Sequence, residues 1–245
     1  MHDERVTPLS RMVDKLAFHA VLPDGDRAAL LDLPHVLRRF DSGSLLVREG
    51  DAPSLCRVLL TGYAYRHKIS SEGRRQIVSI HIPGEILDLQ HLYLEVADHN
   101  VQTLTECMVA TIPGDAVRAL AHDRPAISHA FFIGVLIEGS IFREWLLNIG
   151  RRDARSRTAH FLCEFAARLD KQGLNPGQPY DLPMTQEQLG DALGLTAVHV
   201  NRVLKSLSTD GLIVRHKRGI SFPRWNLLKQ ESDFTSHYLH LGRQI

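Results

Sequence analysis

The sequence predicts an α+β chain: an antiparallel β domain, one long helix, and a C-terminal helix-turn-helix followed by a hairpin. Segments rich in Val, Ile, Leu and Tyr alternate with Gly-, Pro- and Asp-containing turn signals between residues 35 and 116, which is typical of strands. An apolar repeat of helical period follows, and a capped helix pair with a basic hairpin lies beyond it. We therefore expect four regions, with boundaries at 1–122, 123–150, 151–226 and 227–245.

Composition and charge limit the possible partners. The chain has 245 residues, enough for one large or two ordinary domains, and a net charge of only +1, so any nucleic-acid surface must be a local patch. Its three cysteines are widely spaced and its N-terminus lacks a signal-peptide pattern, which indicates a cytoplasmic protein. The longest strongly apolar run, 130–137, is shorter than the ~20 residues of a membrane-spanning helix, so no membrane partner is expected.

The first ~30 residues are predicted to form an amphipathic helix ahead of the β domain. Leu9, Met12, Val13 and Leu16 share one face of this helix, and a Pro-Asp-Gly turn at 23–25 follows it. From residue 35 the predicted strands recur about every ten residues, which indicates an antiparallel sandwich or barrel.

The long helix carries a seam for a second helix. Its members are spaced alternately by three and four positions: Phe132, Val135, Gly139, Phe142, Leu146 and Ile149. Other apolar residues cover much of the remaining surface, so the helix must be covered on more than one side. This predicts a homodimer, in which the helix packs on its own β domain and on the same helix of a second subunit. A buried helix within a monomer is the alternative.

A basic run, 150–157, is expected to be the hinge into the last domain. Its four arginines are placed either against DNA phosphates or on the solvated start of the next helix. The sequence leaves both placements open.

The helix-turn-helix has unusually clear local signals. Thr185 and Gln188 fit a capping box, Gly194 fits the end of the first helix, and Thr196 fits the cap of a second helix over 196–207. The next segment, 212–222, is predicted to form a hairpin with a basic tip, which is the wing of a winged helix.

The outer face of the second helix suits the DNA major groove. Arg202 is the best candidate for bidentate pairing with guanine, Asn201 suits adenine, and Lys205 suits phosphate. A solvated helix face is the alternative. The residues expected to contact DNA are Thr185, Gln186, Thr196, Ala197, Val198, His199, Asn201, Arg202, Lys205, Arg215, His216, Lys217 and Arg218.

Four stretches of the chain resemble the Crp/Fnr family of bacterial transcription regulators: VREGD (47–51), LTG (60–62), IPGE (82–85) and MTQEQLGDALGLTAVHVNRVLKSLSTDGLI (184–213). The resemblance implies a cyclic-nucleotide-binding-like β-roll that senses a signal, a dimerising helix that relays it, and a winged helix that binds a two-fold-symmetric promoter site. It also implies RNA polymerase as a partner.

The family's recognition arginine falls on Arg202, whereas its usual base-contacting glutamate falls on Val198. The operator is therefore expected to differ from those of the best-known members.

The effector cannot be named from the sequence. Cyclic AMP is not expected, because no Lys or Arg lies between Arg75 and Arg118 and the family's Gly-Glu pair reads Asp88-Leu89, so that a phosphate would meet Asp88 without a cation. An iron–sulfur cluster is not expected either, because such clusters commonly need four thiolates and the chain has three cysteines.

The histidines in or near the β domain are His67, His81, His91 and His99. They can ligate haem or a metal or report pH, but no spacing between them enforces a site. We therefore expect no cofactor and no metal, with each imidazole structural.

The chain is expected to be a DNA-binding regulator and not an enzyme. Two alternative functions remain open. One is a cupin-like, metal-dependent β-barrel enzyme, which would leave the basic wing unexplained. The other is a scaffold that uses the helix-turn-helix for protein contacts.

Overall fold

The computed structural model describes residues 7–174, 179–216 and 219–242. These residues form two compact units. The first unit contains residues up to 67 together with 80–136, and the second contains 68–79 together with 137–242.

Two helices precede the β domain. Helix α1 (Ser10–His19) buries Met12 and Val13, as its periodicity predicts. The turn predicted at 23–25 is wrong, because Pro23 lies at the N-cap of helix α2 (Asp24–Leu31). A proline suits this position since the first turn of a helix leaves its N–H groups unbonded, and acidic residues in that turn interact favourably with the helix dipole.

The β domain consists of two antiparallel sheets, as the turn spacing predicts. One sheet has the order β1-β7-β3 and the other the order β2-β6-β4-β5. The strands are β1 (Val36–Phe40), β2 (Leu45–Val47), β3 (Leu55–Thr61), β4 (Ala64–Ile69), β5 (Arg75–His81), β6 (Asn100–Thr103) and β7 (Cys107–Pro113).

Alternation along β3 separates two apolar clusters. Cys56 and Val58 pack in one cluster with α1 and with helix α3 (Gly114–Asp123), whereas Leu59 packs in the other, with residues of the second sheet. A 3₁₀ turn, Leu89–Leu92, follows β5.

Helix α4 (Pro125–Arg151) is the long helix that the sequence predicts. Ile127, Ala130 and Phe131 are buried in the core of the first unit. The helix also contains an 18-residue window with a mean hydropathy of 1.5, of which only 17% is buried. By length and composition alone α4 is therefore able to cross a membrane, which the short run 130–137 did not indicate.

The second unit contains the predicted helix-turn-helix and hairpin. Its helices are α5 (Ala154–Lys171), α6 (Gln186–Leu193), α7 (Ala197–Thr209) and α8 (Trp225–Glu231). A small sheet of order β8-β10-β9 is formed by β8 (Tyr180–Asp181), β9 (Val214–Arg215) and β10 (Gly219–Ser221).

The C-terminal tail packs on α5. The Tyr238 hydroxyl donates to the buried Glu164 carboxylate at 2.8 Å, and the Trp145 indole donates to it at 3.0 Å. Burial raises the pKa of Glu164, and its three polar partners, which include Arg168, oppose that rise. The tail, whose purpose the sequence does not reveal, therefore completes the core of the second unit.

The basic run binds helix ends and carboxylates. Arg157 donates to the carbonyl oxygens of Ile149 and Arg152, both at 2.9 Å, and so closes the end of α4. Arg155 pairs with Asp210 and with Glu231. Of the four arginines, only Arg151 lies exposed without a bond to the described residues, so the run is largely structural.

Candidate nucleic-acid interface

Helix α6 begins with the predicted capping box. The Gln188 backbone N–H donates to Thr185 Oγ1 at 3.1 Å, and the Thr185 N–H donates to Gln188 Oε1 at 2.9 Å. Both bonds satisfy donors that a helix start leaves free. The entry into the helix-turn-helix is thus held by side chains three residues apart.

The turn between α6 and α7 depends on two glycines. Gly194 ends α6 with φ of 64°, the left-handed conformation that the sequence predicts for it. Gly190 is a residue that sequence reasoning missed: a Cβ there would lie 2.4 Å from the carbonyl oxygen of Leu195. A small residue inside α6 therefore lets the chain turn back tightly.

Gly190→Ala is expected to lower the free energy of unfolding by about 1–3 kcal/mol, because the added methyl overlaps backbone that cannot move independently. Gly150→Ala is the matched control, since a Cβ at that helical position meets nothing within 4 Å. The control should be neutral or stabilising by up to about 1 kcal/mol. Denaturant unfolding measures both, and equal effects would contradict the close approach.

Helix α7 presents two distinct faces. Thr196 caps it by accepting the His199 N–H at 3.2 Å. Val200, Leu204 and Leu207 are buried, as predicted. On the opposite face Val198 is 71% exposed, and Asn201, Arg202 and Lys205 are exposed, while Ala197 and His199 are half-buried.

Arg202 forms no hydrogen bond or ion pair with any residue that the structure describes. Its guanidinium is therefore available to an external acceptor. Asn201 Nδ2 donates to Gln186 Oε1 at 3.0 Å, which links two residues expected to contact DNA. This bond leaves Asn201 Oδ1 and the second amide hydrogen available to an external partner.

The wing is an antiparallel hairpin in which Ile220 pairs with Arg215 and Ser221 with Val214. The His216 side chain lies 2.6 Å from the Ser221 hydroxyl, which fixes its ring across the hairpin. Arg215 is exposed. Lys217 and Arg218, the other basic residues predicted at the tip, lie outside the described residues.

The predicted seam lies on the accessible side of α4. Leu146 is 74% exposed, and Phe132 and Val135 are also exposed. Gly139, Phe142 and Ile149 are half-buried. A dimer requires such exposure in a single chain, but exposure alone does not show the dimer, which stays a prediction.

The expectation that Asp88 has no cation beside it is wrong. Asp88 is fully buried, and its carboxylate accepts the Arg57 backbone N–H at 2.7 Å and pairs with the Arg57 guanidinium. Burial raises the pKa of Asp88, whereas Arg57 and Arg66 oppose that rise. The two arginines lie on β3 and β4, which are consecutive along the chain but belong to different sheets, and both strands precede the span 75–118 in the sequence.

Two family models match the chain. A Crp-like helix-turn-helix domain matches residues 156–231, and a cyclic nucleotide-binding domain matches residues 37–124. The first model covers the helix-turn-helix and the hairpin, and the second covers most of the β domain.

Similar proteins extend the match over most of the chain. The nitrogen fixation regulation protein FixK of Bradyrhizobium diazoefficiens is 30% identical over 209 residues, covering 82% of this chain and 85% of that protein. The transcriptional activator protein FnrL of Cereibacter sphaeroides is 27% identical over 217 residues, covering 86% of each. The structure of FixK2 from Bradyrhizobium japonicum has the same fold, with a TM-score of 0.76 and 23% identity over 83% of this chain and 100% of that one.

Proposed function

The chain belongs to the Crp/Fnr family of transcription regulators, and we propose that it binds a two-fold-symmetric promoter site as a homodimer. In this arrangement each subunit inserts its α7 helix into one half-site. It is a DNA-binding transcription regulator. The symmetry of the site, the dimer and the residues that read the bases are the proposed part.

The observation that carries the proposal is the guanidinium of Arg202, which is exposed and has no partner among the described residues. It lies on the outer face of a capped helix whose opposite face is buried, so the helix can enter the major groove without losing its packing. Lys205 and Arg215 are placed to hold phosphates, which supplies affinity without sequence information. Val198 offers only methyl groups, which suit the thymine methyl.

The seam on α4 supports the dimer. An exposed stripe of large apolar side chains along a 27-residue helix needs a cover, and a second copy of the same helix supplies one of matching length. The same exposed apolar residues also make α4 apolar enough to cross a membrane by length and composition. We favour the dimer because the relatives compared are named as transcription regulators, and for the same reason we propose a cytoplasmic protein without catalytic activity.

RNA polymerase is the further partner that we propose, because FnrL and related proteins are named transcriptional activators. A signal acting at the β domain is proposed to regulate binding.

Selection of bound fragments from genomic DNA, followed by footprinting, tests the proposal. We expect two protected half-sites whose centres are about one helical turn apart, or a multiple of it. A single protected patch without two-fold symmetry would contradict the reading by paired α7 helices. Binding that does not weaken as salt rises would contradict the proposed phosphate contacts.

Cyclic AMP is expected to leave the melting temperature unchanged, because only a ligand that binds the folded state stabilises it. The charge of Arg57 is already engaged by Asp88, so it is not available to a cyclic phosphate. Thermal unfolding with cyclic AMP, and with AMP as the non-cyclic control, measures this. A rise of several degrees at micromolar cyclic AMP would show that the folded chain binds the nucleotide.

A further inference from the structure

Two histidines from separate segments of the first unit lie side by side. His91 lies in the 3₁₀ turn Leu89–Leu92, and His99 immediately precedes β6. Their ring centroids are 5.5 Å apart, and their planes are inclined by 19°. They are only 6% and 5% exposed, respectively, so the pair is withdrawn from solvent.

Both ring nitrogens of His91 are buried, and neither has a hydrogen-bond partner among the described residues. Buried polar atoms in proteins are nearly always bonded, so this imidazole requires an explanation. A neutral imidazole always keeps a lone pair on one nitrogen, which a metal ion can accept. This lone pair has no hydrogen-bond donor among the described residues, and a second histidine offers a further donor nitrogen nearby.

Asp98 supplies a third donor beside this pair. Its Oδ1 lies 2.6 Å from His99 Nδ1, and one donor atom from each of His91, Asp98 and His99 lies within 4.8 Å of the other two. Donors around a tetrahedral zinc ion with bonds of about 2.0–2.1 Å are about 3.4 Å apart, so closure needs shifts of about 1 Å. Asp98 is exposed, which leaves an entry path for the ion.

Gln90 holds the second nitrogen of His99. Its side-chain Nε2 lies 3.1 Å from His99 Nε2. Groups that bond to the free nitrogen of a ligating histidine fix the orientation of its ring and its tautomer. Gln90 is thus placed as an outer partner of the site; its amide must turn to present Oε1 when His99 Nε2 carries the proton.

The local charges favour imidazole-bound metals. Burial, with a further contribution from Arg66, lowers the pKa of His91 and that of His99, which favours the neutral form of both rings. The positive charge of Arg66 opposes any cation held mainly by electrostatics. Mg²⁺ and Ca²⁺, which prefer oxygen ligands, are therefore disfavoured relative to ions that bind strongly to nitrogen.

We propose that His91, Asp98 and His99 form a binding site for a divalent transition metal of the zinc type, with a solvent or small-molecule ligand completing its coordination. The spacing of the histidines along the chain gives no sign of this site, and the sequence predicted no metal. The inference does not rest on the DNA-binding function, because metal binding is measured without DNA.

Titration of the chelator-treated full chain, carrying no histidine tag, with Co²⁺ and then Zn²⁺ tests the site. We expect saturable one-to-one binding of Co²⁺, with the visible absorption typical of tetrahedral Co²⁺. This absorption should disappear when Zn²⁺ displaces the Co²⁺ ion. His91→Gln and Asp98→Asn should each weaken binding at least about tenfold. His122→Gln, which removes an exposed imidazole of the same unit, is the matched control and should bind as the wild type does.

Zn²⁺ should also raise the melting temperature of the wild type and of the control more than that of Asp98→Asn. Because Asp98 is exposed, Asp98→Asn should fold even where His91→Gln does not. Wild-type protein without a saturable site overturns the proposal, and so does an unchanged affinity in Asp98→Asn.

Discussion

Arg202→Ala is expected to remove sequence-specific DNA binding while leaving the fold and the dimer intact. The side chain is exposed and unpaired among the described residues, so its removal breaks no internal bond. A bidentate arginine–guanine pair gives about 1–3 kcal/mol of discrimination, and a dimer loses two such pairs. Operator affinity should therefore fall at least about thirtyfold, measured by anisotropy titration of operator and scrambled duplexes at one salt concentration.

Two matched variants separate base reading from charge. Arg202→Lys keeps the positive charge but lacks the planar fork, so it should bind the scrambled duplex normally and still lose the preference for the operator. Lys205→Ala should weaken binding to both duplexes alike and reduce the salt slope by about one for each phosphate that the lysine no longer neutralises. If Arg202→Ala bound the operator as tightly as the wild type does, the proposal that α7 reads the base sequence would be wrong.

The helix-turn-helix could be predicted closely because its signals are local. Thr185 and Gln188 are three residues apart, and Gly194 and Thr196 adjoin the turn that they shape. Caps and left-handed glycines act through backbone groups within one helical turn, so the sequence alone contains them. The role of Gly190 could not be predicted, because its close approach to Leu195 depends on how α6 meets the following turn.

The interior of the β domain was much less predictable. Asp88 and Arg57 are 31 positions apart, and only the folding of the sheets places one beside the other. The span between Arg75 and Arg118, on which the sequence-based expectation depends, contains no Lys or Arg. The arginine beside Asp88 lies outside that span, so the sequence pattern does not reveal it. His91 and His99 escaped prediction for a similar reason, since the segment that joins them, 93–98, is neither helix nor strand and has no periodicity that places one ring beside the other.

The dimer seam could be predicted from the sequence only in part. Its spacing of three and four residues is a local pattern, and the structure leaves Phe132, Val135 and Leu146 exposed along one helix. The surface that covers these side chains in a dimer belongs to a second chain, so neither the periodicity nor a single chain identifies it. A direct measurement of assembly is therefore needed.

The double substitution Phe142→Glu and Leu146→Glu is expected to dissociate the dimer. Two-fold symmetry places each new carboxylate in the seam twice, and an uncompensated buried charge costs about 3–5 kcal/mol. The dimer dissociation constant should therefore rise more than about a hundredfold, as measured by sedimentation equilibrium. Operator affinity should fall with it, because a monomer presents only one α7 helix.

Leu227→Glu is the matched control, since Leu227 is also an exposed large apolar residue but lies on α8, outside the seam. It should sediment as the wild type does. Far-UV circular dichroism separates dissociation from unfolding in both proteins. A wild-type chain that sediments as a monomer at micromolar concentration would contradict the seam itself, and the paired reading of two half-sites would then lose its physical basis.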